Sequence, residues 1–92
     1  MAEQAEPTSE ELIEQIQKLK VTDVLLSTMA AVAQLAFAKL DEASRDLPQA
    51  KLGIDALSAL LPVLEESLDD ELRRDYRQLV SNLQLAYADA AR

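Results

Sequence analysis

Fifteen consecutive positions, residues 24–38, carry no charge, in a chain that is 28% charged overall. Placed on a helix at 100° per residue, this run (VLLSTMAAVAQLAFA) and Leu40 split into two unlike faces. A broad arc carries Val24, Leu25, Leu26, Met29, Val32, Leu35, Phe37 and Leu40. The narrower arc carries Ser27, Ala31, Gln34 and Ala38, small or uncharged where a solvated helix would show Lys and Glu. A helix that is apolar nearly all round is a buried helix, so the rest of the chain must cover it. The small face is open to two readings, solvent exposure or close contact with a second helix.

Composition fixes the class of what does the covering. Seventeen Leu and fifteen Ala stand beside one Gly, three Pro, one Phe, two Tyr and no Trp, a mixture rich in helix formers and poor in turn residues and β-formers. The expected fold is all-α, with a three-helix core, a short N-terminal helix and association of two chains into a larger bundle. With 92 residues the chain makes one small domain, whose core is marginal unless a second chain extends it.

The chain has no Cys and no His, which removes disulfides, thiolate zinc, the commonest general base and the commonest metal ligand. No cofactor, metal or catalytic residue is expected. A net charge of −8 disfavours nucleic acid and anionic membrane, whose phosphates need neutralising. The N-terminus has no basic segment leading into an apolar one, so a cytoplasmic protein is expected. Fifteen uncharged residues fall short of the ~20 that cross a bilayer, so no membrane span is expected either.

Residues 1–8 are polar, acidic and interrupted by Pro7, and read as a disordered tail ahead of a single helical domain over 9–92. Thr8 and Glu11 fit a capping box for a first helix, Ser9–Lys18, with an aliphatic stripe of Leu12, Ile13, Ile16 and Leu19. Ten residues are too few to stand alone in water, so this helix must dock as a lid, be exchanged for a partner, or fray. Thr22 and Asp23 suit the N-cap of a second helix over about 23–40, with Lys39 near its far end.

The polar connector 41–46 offers Ser44 or Asp46 to cap a third helix that begins near Leu47 and tolerates Pro48 in its first turn. On that helix Ala50, Ile54, Leu57, Leu61 and Leu64 form a stripe that Leu52, Ala56, Ala59, Leu60 and Val63 widen. Gly53 lies inside the arc, either a tolerated surface glycine or the mark of a close backbone approach. Pro62 is expected to kink the helix or loosen its last turn. Ser67 and Asp70 then resemble a capping box for a fourth, amphipathic helix running to about Ala90.

Arg73, Arg74 and Arg77 form the basic cluster of that helix, with Asp69, Asp70, Glu71 and Asp75 beside them, and read as a self-compensated solvated face. The acid pairs Glu65–Glu66 and Asp69–Asp70 are adjacent in sequence and share no helix face, so they suit capping and solubility better than general acid/base work.

From Thr22 to Tyr87 the order of features resembles the bacterial domain of unknown function family 1844, a group of small helical proteins. The resemblance rests on Thr22-Asp23-Val24-Leu25-Leu26, then Asp46-Leu47, Ala50-Lys51, Ile54-Asp55-Ala56-Leu57 followed by Leu60, and a last helix ending Leu83-Gln84-Leu85-Ala86-Tyr87. It implies a three-helix core with no assigned activity and transfers no catalytic residues. The first 21 residues lie outside it.

The function these features favour is a non-enzymatic interaction or scaffolding module working as a homodimer, with Ser27, Ala31, Gln34, Ala38, Gly53 and Leu85 as candidate interface residues. The alternative is a carrier holding an apolar small molecule in an interhelical cavity lined by Met29, Phe37, Leu57, Leu61, Tyr76 and Leu83.

Overall fold

The computed structural model describes residues 8–92, and the tail expected over 1–8 lies, apart from Thr8, outside that range. The fold is all-α: α1 (Ser9–Lys18), α2 (Val21–Ala38), α3 (Leu47–Glu65) and α4 (Asp70–Ala90), with one 3-10 turn, Glu42–Ser44, between α2 and α3. α2, α3 and α4 form the core. α2 packs chiefly on α3, α3 on α4, and α2 more lightly on α4.

The inward side of α2 is Met29, Ala33, Ala36 and the following Leu40, with Leu25, Leu26 and Val32 half-buried beside them. Ala50, Ile54, Leu57, Leu61 and Leu64 meet them from α3, Leu68 from the next turn, and Val80 and Leu83 from α4. Among the described residues no polar or charged side chain is buried, so burial of apolar area is what holds these helices together.

Helix ends follow local chemistry, with departures from the sequence reading at the starts of α2 and α4. Thr8 caps α1, accepting a hydrogen bond from the Glu11 amide at 3.1 Å. α2 begins two residues earlier than expected, behind Lys20, which makes no side-chain cap bond. Thr22 and Asp23 therefore sit inside its first turn, where Asp23 still favours the positive end of the helix dipole.

Of the two candidates for the third cap, Asp46 is used, accepting from the Gln49 amide at 3.2 Å. Ser44 instead donates to the Ala38 carbonyl at 2.7 Å, and Arg45 donates from Nε and Nη2 to the Leu40 carbonyl at 3.2 and 3.0 Å. Those bonds satisfy carbonyls that the end of α2 leaves free, and they fix the turn into α3. α3 runs on past Pro62 to Glu65.

α4 begins two residues later than expected. Asp69, not Ser67, is its N-cap, accepting from the Leu72 amide at 2.9 Å, while the Ser67 amide closes the preceding turn onto the Leu64 carbonyl. The deciding factor is Leu68, buried in the core, which holds the turn closed before a helix can start.

The first helix has the expected bounds but, among the described residues, contributes nothing to the core. None of its residues is buried, and Leu12, Ile13, Ile16 and Leu19 are all exposed. The radius of gyration, 17.2 Å, exceeds the about 12 Å of a compact chain of this length. The molecule is only 18 Å through its thinnest direction, scarcely two helix diameters.

Candidate interaction surface

A thin layer leaves α2 covered on one side. With Met29, Ala33 and Ala36 turned inward, the 3.6-residue repeat puts Val24, Ser27, Ala31, Gln34, Leu35 and Ala38 on the opposite side, and all six are exposed. The four residues singled out for their size, Ser27, Ala31, Gln34 and Ala38, thus share one outward face. Val24 and Leu35, which the sequence grouped with the core arc, stand on it too, at 47% and 59% exposure. Thr28 lies along the same side and donates its hydroxyl to the Val24 carbonyl at 2.9 Å, so its polar atom is turned back onto the helix.

Beside this face runs an apolar groove of about 220 Å³ between α2 and α3. Val32, Leu35, Ala36 and Lys39 form one wall, and Gln49, Leu52, Gly53 and Ala56 the other. Gly53, which has no side chain, is part of this lining. A Cβ there would lie 3.3 Å from the Ala36 Cβ and 3.4 Å from Val32 Cγ1, so the two helices meet closely and a shallow depression remains above the contact. The close approach that Gly53 marks is therefore met within the chain. Leu52, 62% exposed, borders it.

The remaining predicted positions are dispersed. Leu85 is 66% exposed on the side of α4 turned away from Val80 and Leu83, apart from the α2 face. Of the expected cavity lining, Met29, Leu57 and Leu83 are wholly inaccessible and Leu61 nearly so, all as members of the core cluster. Tyr76 is half-buried against that cluster, whereas Phe37 is 42% exposed and outside it.

The groove residues Leu35, Leu52 and Ala56 were not singled out in the sequence. Their signal was the width of the apolar arcs on both helices, greater than one neighbour can cover.

The basic cluster on α4 is engaged with its surroundings. Arg77 pairs with Glu65 across the α3–α4 turn, and Arg73 donates to the Leu68 carbonyl at 2.8 Å while lying 3.5 Å from an Asp70 oxygen. Lys51 donates to Asp55 at 2.7 Å on the exposed side of α3, and that hydrogen bond, with the carboxylate's charge, raises the lysine above its ordinary 10.5. Among the described residues no three potential metal ligands come together.

By length and composition α2 and α3 are also apolar enough to cross a membrane. α2 spans about 27 Å against a hydrocarbon core of about 30 Å, and α3 carries Lys51 and, at its centre, Asp55, where a charge is costly in lipid.

Compared with known proteins, the chain matches no family model, no curated protein and no solved structure.

Proposed function

We propose that this protein is a non-enzymatic interaction or scaffolding module that works as a homodimer joined through the outward face of α2. One observation carries the reading: Val24, Ser27, Ala31, Gln34, Leu35 and Ala38 form an exposed helix side with no charge, in a chain of net charge −8. An uncharged side of that length on a thin molecule is a surface for a partner. Ser27, Ala31 and Ala38 are small enough for two helices to approach at the short end of the ~8–10 Å range. A two-fold axis brings the same patch from each chain together, so one surface serves both.

The lack of His and Cys, which removes the commonest general base and thiol nucleophile, is in keeping with this reading. The carrier reading has less support, because the α2–α3 groove, about 220 Å³, is smaller than the ~300–1,000 Å³ of ordinary ligand sites.

Light scattering tests the proposal directly. Twice the 10.1 kDa chain mass is expected, and a monomer overturns the reading. Ala31→Glu would set two like charges at the axis and is expected to give a folded, helical monomer. A dimer that survives Ala31→Glu moves the interface off this face.

A further inference from the structure

We infer that the α1 arm of each chain lies in the α2–α3 groove of the other chain, an inference that rests on the homodimer proposed above. The arm and the groove are complementary halves of a contact that neither completes alone. Leu12, Ile16 and Leu19, spaced i, i+4, i+7, make a straight apolar ridge with Ile13 beside it, and every one of them is exposed. The groove offers Val32, Leu35, Leu52 and Ala56 around the bare backbone of Gly53. The polar side of the arm bears Glu10, Glu11 and Glu14 against a single Lys18, whereas Lys39 is the charged side chain in the groove wall, opposite in sign.

The connector decides whose groove is filled. Only Leu19 and Lys20, both extended, separate α1 from α2. A ten-residue helix is about 15 Å long. Folded back along its own α2, it would cover roughly the first ten residues and stop short of Leu35 and Lys39, which form the far part of the groove wall. An antiparallel pairing of two α2 helices about Ala31 removes the difficulty. It sets the start of each α2 beside the end of its partner's, so that each arm leaves its chain next to the partner's Leu35 and Lys39.

The exchange also accounts for a helix too short to persist alone in water whose apolar ridge is exposed along its length.

The absence of cysteine from the chain makes the test direct. One full-length chain carrying Ile16→Cys and a size tag is mixed with an untagged full-length chain carrying Leu52→Cys, then mildly oxidised. A disulfide-linked heterodimer is expected, and a mixture of Ile16→Cys with Leu85→Cys should give none. Ala31→Cys alone should cross-link to its own copy. A dimer that links at position 31 but not between 16 and 52 overturns the arm exchange and leaves the dimer standing. A monomer with no link at 31 overturns both. When both substitutions are placed in one chain, linkage within that chain at monomeric dilution, with none between copies, shows the arm on its own groove and overturns the exchange. A fluorophore on Ile16→Cys should shift to the blue as the chains dimerise, with no further change on adding phosphatidylcholine vesicles. A shift that requires the vesicles overturns the inference in favour of a lipid surface.

Discussion

Gly53 and Ala36 face each other across the α2–α3 contact so closely that a Cβ on the glycine would lie 3.3 Å from the alanine Cβ. Two effects oppose each other at this position. Alanine gains helix stability of about 1 kcal/mol over glycine, while a contact at 3.3 Å to a short, immobile side chain forces the helices apart by a few tenths of an ångström. Gly53→Ala is expected to leave stability within about 1 kcal/mol of the parent, because the terms offset. Gly53→Leu exceeds the space and is expected to cost about 1–3 kcal/mol, measured by urea denaturation. A Gly53→Leu protein as stable as the parent would show that the helices do not meet there.

Leu57 and Leu85 have the same side chain and opposite surroundings, 0% and 66% exposed. Leu57→Ala should destabilise by about 2–5 kcal/mol, since it removes transfer energy and leaves a cavity at the centre of the core. Leu85→Ala should change stability by less than about 0.5 kcal/mol. A large loss at Leu85 would reveal a second interface on α4.

Asp69 holds the first turn of α4 by accepting from the Leu72 amide at 2.9 Å. Asp69→Ala is expected to cost about 1 kcal/mol, the ordinary worth of an N-cap. Ser67→Ala should fall within about 0.5 kcal/mol, and thermal unfolding of the two variants side by side distinguishes the cap seen here from the one its sequence spacing suggests.

Lys51 titrates above the ordinary lysine value because Asp55 accepts its proton in a hydrogen bond and attracts its charge. A group whose folded value is raised contributes its stabilisation fully below the unfolded value of 10.5 and loses it as pH climbs through the folded value. The pair is therefore complete at neutral pH and lost only in strong alkali, and its solvent exposure keeps the effect small. Carbon NMR of the Lys51 side chain should show it titrating above the ordinary lysine value, and Asp55→Asn should bring it back to that value.

The sequence alone determined which segments are helical. α1, the start of α3 and the end of α4 follow from capping residues, Pro48 in a first turn and the 3.6-residue repeat, all of them interactions within a few residues. The start of α4 did not follow, because Ser67 and Asp69 are both good caps and only the burial of Leu68 chooses between them. The same limit applied to the candidate surface. The lack of charge on Ser27, Ala31, Gln34 and Ala38 was legible, yet α2 is apolar nearly all round, so its periodicity could not say which side α3 and α4 would cover. Packing decided that Met29, Ala33 and Ala36 turn inward and that Val24, Leu35 and Phe37 remain outside. It also decided that the gap at Gly53 is met by Ala36 in the same chain, and that α1, amphipathic by sequence, finds no surface of its own chain to lie on. Periodicity measures the width of an apolar arc, whereas the neighbour that fills it depends on contacts between residues far apart in the chain, which exist only once the helices have packed.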